Sequence, residues 1–443
     1  MNKKVSLLLI LLLLLTAGCD LANTLNPPTA DEATPNPNTN GTVVATGTSA
    51  SAATPDIAIP TTPISQTRPS LRVWLPPEIA LSTEEGAAIL NAQLTAYRSN
   101  HSDLDLTVEQ KSVSGQSGIL NYLRTGRTVA PGVLPDLIAI PVDQLSLALS
   151  EELIFPMGNL IETNLLEDLY PAALALVLKD NQLTGYPFLL TGLTHLVYNS
   201  ESVTTTIPAG WESFIEQPNS FVFPANGPPG GTLGLQFYLA AGGTLTNEAG
   251  QNALQIEPLA TALQQLFAAE NNGLILDQSS NYSSFQESWQ LFQAGSATVA
   301  LTNSEQFLRE RDANPAFQIT AVPGFDRPLI PLVSGWAWAI STTDPTQREL
   351  AAELLNVLID GGNLGEWSYA SKYLPARQAA FAFWPENDPY VPFAREQLNR
   401  ASAMPFSSSS NFMTVLNNGV FDVVTLAKTP QVAAEEAVAT LQP

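Results

Sequence analysis

From Leu71 onward, apolar positions recur with two different periods, and each period predicts an element. Leu71-Arg72-Val73-Trp74-Leu75 is a short apolar run of strand character, stopped by Pro76-Pro77. Ser82-Thr83-Glu84-Glu85 marks a helix start, with acids in the first turn facing the positive end of the helix dipole. Ala87, Leu90, Leu94 and Tyr97 follow at spacings of three and four, which places them on one helical face. Leu104, Leu106 and Val108 then alternate, the period of a strand. A short helix around Ile119 to Arg124 leads into Asp136-Leu137-Ile138-Ala139-Ile140, a buried strand. The order β-α-β-α-β predicts an α/β fold, a parallel sheet with helices on its faces.

The mixed pattern continues to the end of the chain without an internal repeat. Strand-like segments run around Phe317 to Val322 and Trp336 to Ile340. Asp344-Pro345 then caps a helix with apolar positions Leu350, Leu354, Leu355 and Leu358, closed by Gly361-Gly362.

Before Leu71 the pattern is of another kind. Lys3 and Lys4 precede an apolar run, Leu7 to Leu15, that ends in Thr16-Ala17-Gly18-Cys19. A charged start, a short apolar stretch and small residues at a cleavage site describe an export signal over residues 1–18, too short to span a bilayer. No second apolar stretch reaches the length of a membrane-spanning helix. Cys19, the only cysteine of the chain, stands directly after that site, so the segment resembles a bacterial lipoprotein lipobox, with Thr16 where leucine is usual. The resemblance implies lipidation of Cys19 and anchoring on the outer face of the cytoplasmic membrane. From Asp20 to about Pro69 the residues are mostly Thr, Pro, Asn, Ala, Ser and Gly. Such a segment cannot bury enough apolar surface to offset its ordering entropy, so residues 19–70 are expected to form a disordered tether spanning roughly 40 Å.

Composition narrows the function. One cysteine leaves no internal disulfide, so an apolar core must hold the fold. The 41 acidic residues outnumber the 18 basic ones, for a net charge of −23, which repels nucleic acid. There are two histidines, His101 and His195, and no HExxH, GxSxG or P-loop pattern. His101 lies in a polar turn and is expected to be solvated; His195 lies in an apolar run and is expected to be a satisfied, partly buried residue. Zinc ligands are too few for a metal site, and with no enzyme motif no catalytic residue or cofactor is expected either. A glycosidase with two carboxylates needs no local motif and stays open as a rival reading.

Open α/β sheets bind ligands outside the carboxyl ends of their strands. Here those ends carry Pro76-Pro77-Glu78 and Pro141-Val142-Asp143. Carboxylates there accept hydrogen bonds from sugar hydroxyls, and aromatic faces stack on the apolar side of a pyranose.

An ordered set of short motifs carries a family resemblance. They are Leu134-Pro135-Asp136-Leu137-Ile138 before Asp143, Leu183-Thr184-Gly185-Tyr186-Pro187, Leu196-Val197-Tyr198-Asn199 and Gly210-Trp211-Glu212-Ser213-Phe214. Phe292-Gln293-Ala294-Gly295-Ser296-Ala297, Ser334-Gly335-Trp336-Ala337-Trp338-Ala339-Ile340 and Tyr373-Leu374-Pro375-Ala376-Arg377 follow. From Leu71 to the C-terminus the chain resembles the extracellular solute-binding proteins of ABC importers, family 1, the carbohydrate-type group that includes maltose-binding protein.

The resemblance implies a class II, two-lobed periplasmic-binding-protein fold with the ligand in a cleft between lobes. The first lobe would comprise 71–190 plus 338–378 and the second 191–337 plus 379–443. Crossings would fall near Phe188 to Thr191, Trp336 to Ile340 and Arg377 to Phe381, and Gln431 to Ala437 would form a terminal helix. Ligand contacts carried over are Glu78, Asp143, Thr191, Asn303, Trp336, Tyr373 and Phe412, while Trp74 and Trp338 read as core. Thr191 stands where maltose-type members carry an acid, which argues against a maltodextrin ligand. The function implied is that of a monomeric, lipid-anchored receptor that captures a sugar by hinge closure and delivers it to ABC permease subunits. The rivals are the same scaffold binding a polyamine, ferric ion or oxyanion, and a secreted enzyme acting on polysaccharide.

Overall fold

A computed structural model describes residues 68–247 and 249–441. The expected export signal, Cys19 and nearly all of the expected tether lie outside the described residues. Gln66 to Pro443 forms one compact unit.

Thirteen strands, numbered in chain order, make three sheets among the described residues. The larger sheet holds β1 (Ser70–Leu75), β2 (Asp105–Gln110), β3 (Leu137–Pro141), β6 (Tyr186–Thr191), β11 (Leu332–Ile340), β12 (Leu374–Pro375) and β13 (Ser402–Ala403). The smaller sheet holds β7 (Thr194–Asn199), β8 (Phe221–Val222), β9 (Val299–Asn303) and β10 (Phe317–Thr320); β4 (Leu178–Lys179) and β5 (Gln182–Leu183) pair as a hairpin. The larger sheet runs in the order β12-β6-β11-β3-β1-β2, with β13 beside the start of β11. As expected, β1 pairs in parallel with both β2 and β3. β11 enters antiparallel between β3 and β6. Leu137, Ile138, Ala139 and Ile140 of β3 are wholly buried, which is why that strand reads as a continuous apolar run.

The helix Glu84–Asn100 buries Leu90, Leu94 and Tyr97, while Ala87 falls outside the buried stripe. Its cap Thr83 accepts from the Gly86 amide at 2.9 Å and donates to the Ala370 carbonyl at 2.8 Å, tying it to the helix Gly361–Ser371. A methyl group on Gly86 would run into Ser371 Oγ, so glycine lets the two helices touch.

Three local expectations change. Pro77 does more than stop β1: it opens a four-residue helix, Pro77–Ala80, where its missing N–H costs nothing. The short helix at Ile119 runs on to Val129. Gly361-Gly362 begin a helix instead of ending one, because the Asp360 carboxylate caps the Gly362 amide at 3.0 Å.

Among the described residues the chain crosses between the sheets more than once. The first passes through Gly192-Leu193, where Gly192 has φ +77°, a conformation that favours glycine. In the second, Leu332 and Val333 pair with β13 before Ser334 to Ile340 join β6 and β3. Trp336 to Ile340 therefore sit inside the larger sheet, and the crossing lies just before them. Arg377 to Phe381 also stay with the larger sheet: Arg377 pairs with Asp168 at 2.8 Å and the Ala376 amide donates to Phe188 O at 3.0 Å. The third crossing comes later, between Trp384, whose indole donates to Ser368 Oγ, and Asp388, which pairs with Arg311.

One core lies under both faces of the larger sheet and continues through Tyr390, Phe307 and Trp289 onto the smaller one. A second core is built by the helices Pro228–Ala240, Ile256–Asn271, Asn411–Val424 and Pro430–Leu441. His195 is wholly buried, more so than expected, and its Nε2 lies 3.2 Å from the Tyr390 hydroxyl. Burial pushes its pKa down to about 4, so it is a neutral packing residue. His101 is not simply solvated: it stacks on Tyr97 with ring centroids 4.0 Å apart and reaches Glu353 at 3.1 Å.

Candidate functional site

Where β3 and β6 end and β11 begins, a cavity of about 650 Å³ opens between the two lobes. Its first-lobe wall is Pro141, Val142, Asp143 and Ser146; its base is Thr191, Ser334 and Trp336; its second-lobe wall includes Thr232, Phe406, Ser407 and Met413. Each side chain is placed by an identifiable element. β3 delivers Asp143 into the single turn Val142–Gln144, exposed to the cavity. β11 holds Trp336 by pairing it with Pro141 on one side and Leu189 on the other. Thr191 is the last residue of β6, opposite Ser334. Ser410 caps the helix Asn411–Val424, with its side chain accepting from the Met413 amide, and so fixes the second-lobe wall.

The polar chemistry of this cavity is one carboxylate, Asp143, one ammonium, Lys179, and hydroxyls from Ser146, Thr191, Thr232, Ser334, Ser407 and Ser408. The Ser407 hydroxyl donates to Asp143 Oδ2 at 2.9 Å, a bond between lobes. The apolar chemistry is Trp336 and Phe406, the latter stacked on Phe412 with centroids 4.7 Å apart and planes 19° from parallel. Such a lining suits a neutral ligand with many hydroxyls and an apolar face.

A second cluster adjoins the same crossing. The Glu305 carboxylate accepts from the Gly192 amide at 2.8 Å, one residue beyond Thr191, and from the Ser304 hydroxyl at 2.9 Å. Burial pushes the Glu305 carboxyl up, against the pull of these donors. The Arg309 guanidinium lies 5.8 Å from the Tyr373 ring centroid, and the Tyr373 hydroxyl reaches the Glu78 carbonyl at 3.5 Å, the outer limit of a hydrogen bond.

The residues expected to bind ligand thus fall into separate groups. Asp143, Thr191 and Trp336 line one cavity, with Phe412 stacked behind its Phe406. Glu78 and Tyr373 meet in the second cluster. Asn303 is occupied otherwise: its side-chain oxygen accepts from the Gln306 amide at 2.9 Å and caps the helix Ser304–Glu310. Sequence reasoning missed Ser407, Phe406, Thr232, Lys179, Glu305 and Arg309. A Ser407-Ser408-Ser409-Ser410 run marks a loop, and nothing in it signals a partner 264 positions away. Among the described residues no group of three or more His, Cys, Asp or Glu converges as a metal site would.

No curated protein matches the chain. Among solved structures, a cyclic alpha-maltosyl-1,6-maltose binding protein from Arthrobacter globiformis is similar at 17% identity and a TM-score of 0.68, over 84% of this chain and 97% of that one. The maltose-binding MalE of Listeria monocytogenes, in complex with maltose, matches at 16% identity and a TM-score of 0.66, over 84% and 96%. The sugar-binding protein MalE of Xanthomonas citri gives 16% identity and 0.67 over the same shares, 84% and 96%. Likeness at such identities shows the fold, two lobes about a cleft. Residues 92–392 match the family described as bacterial extracellular solute-binding protein, and the chain belongs to that family.

Proposed function

We propose that this protein captures a neutral, hydroxyl-rich solute, a sugar or oligosaccharide, by closing its lobes on the cavity at Asp143. The observation that carries the reading is the meeting of Asp143, Thr191, Trp336 and a ring of hydroxyls in one cavity at the strand ends. Asp143 accepts ligand hydroxyls, Trp336 offers a ring face, and contacts with the second lobe shift an open–closed equilibrium. The maltose and related sugars named for the similar structures agree with this ligand class. Thr191 in place of an acid argues for a sugar other than a maltodextrin. In our reading Cys19 carries the lipid anchor, and ABC permease subunits in the membrane receive the solute. The protein performs no covalent chemistry.

A polyamine is the main rival, since Glu78 and Glu305 both lie near Tyr373. Arg309 stands in the same cluster and opposes a cation there. A thermal-shift screen of the full chain against sugars, polyamines and ferric salts decides between them. A ligand at about 100 times its dissociation constant adds roughly 2.7 kcal/mol of stability. Stabilisation by polyamines alone would discard the carbohydrate reading, and turnover of a glycoside would discard the receptor reading.

A further inference from the structure

Ser407 sits in the loop 404–410 between β13 and the helix Asn411–Val424. A serine hydroxyl has one proton to give, and here it goes to Asp143 Oδ2 at 2.9 Å. The Ser409 hydroxyl, 3.1 Å from Ser407 Oγ, is then the donor of the next bond, so Ser409, Ser407 and Asp143 form a short chain of aligned dipoles. This is the bonding a sugar hydroxyl would make to the same carboxylate.

We propose that Ser407 is an affinity- and specificity-setting residue: it holds the place of a ligand hydroxyl on Asp143 and is displaced when ligand binds. The inference rests on the carbohydrate reading of the cavity. Two adjacent hydroxyls of a sugar ring engage a carboxylate through both oxygens, and Ser407 already takes Oδ2. A ligand offering one hydroxyl takes the open Oδ1 and breaks nothing, whereas a vicinal diol reaches Oδ2 only by displacing the serine. The serine therefore lowers the affinity for diols, and removing it raises that affinity. The loop can yield without disturbing the lobes. Ser408 and Ser409 are exposed, while the loop ends are held by the Met404 amide on Val333 O at 2.7 Å and by the Ser410 cap. Apparent affinity is lowered by the fraction of molecules in which Asp143 is taken.

The test uses the full chain, wild type against Ser407→Ala. Hydrogen exchange of the amides of residues 406–409 is followed without ligand, and whichever of xylotriose, raffinose and maltotriose stabilises the wild type most is titrated by calorimetry. Exchange in the loop should rise several-fold in the variant. That sugar should bind it about fivefold tighter, equivalent to about 1 kcal/mol. Unchanged exchange overturns the proposal. So does weaker binding by the variant, which would make Ser407 a ligand contact. Faster exchange with none of the three sugars bound by either protein supports the serine–carboxylate bond and counts against the sugar reading alone.

Discussion

Replacing Asp388 with alanine strands the Arg311 guanidinium where the third crossing meets the second lobe. The pair is bidentate, Nη1 to Oδ1 at 2.7 Å and Nη2 to Oδ2 at 2.5 Å. Its side chains are only 13% and 4% exposed, so the charges are little screened by solvent. Asp388 Oδ1 also accepts from the Tyr390 amide at 2.9 Å, at the start of the helix Tyr390–Arg400. Losing one partner of a buried pair costs about 3 kcal/mol, and losing a capping acceptor adds about 1. The expected loss for Asp388→Ala is therefore about 4 kcal/mol. Adding Arg311→Met removes the stranded charge, so the double variant should recover about 2 kcal/mol of it. The assay is guanidine-free urea denaturation at low and high sodium chloride. A loss below about 1 kcal/mol, or one that vanishes in high salt, would mark a surface-type pair and refute the reasoning.

Other substitutions probe the remaining links. His195 has a depressed pKa in the folded state, so its contribution is complete above its unfolded value and is lost as pH falls from about 6.5 towards about 4. Glu270, pushed by burial up to about 7, acts with the opposite sign over part of that range, so the effect is read as a difference: His195→Gln should show a flatter fall in stability below pH 6.5 than wild type. Parallel curves for the two proteins would contradict it. A methyl group on Gly234 would meet Val420, so Gly234→Val should cost roughly 2 kcal/mol by forcing apart the helices Pro228–Ala240 and Asn411–Val424; an unchanged denaturation midpoint would count against that packing. Asp143→Asn and Trp336→Phe should each weaken sugar binding about tenfold while leaving the thermal midpoint within a few degrees, and calorimetry showing wild-type affinity in both would move the site elsewhere.

What the sequence made legible was local. β1, β2 and β3 and the helix from Glu84 announce themselves because each carries its own period and cap within a few residues. β3 is also why Asp143 could be placed: a strand end followed by an acid is visible in one line of text. Long-range pairing was not legible. Asp360 turned two glycines from a stop into a start, and Arg377 stayed with the larger sheet because its partner Asp168 lies 209 positions away. Asn303 reads as a cleft residue from its place after β9, yet capping the next helix occupies its oxygen. Ser407 carries no signal at all, since its role exists only once two lobes face each other.

The position of β11 has a consequence for how the chain is made. This strand sits between β3 and β6, yet it begins roughly 140 residues after β6 ends, on the order of ten seconds of synthesis. Until Ile340 has been made, β3 and β6 have no neighbour to join them, and the larger sheet is two separate pieces. A nascent chain of this design stays open for most of its emergence. For a member of an extracellular family that delay is useful, because a polypeptide threaded through a membrane channel must arrive there before its central sheet has closed.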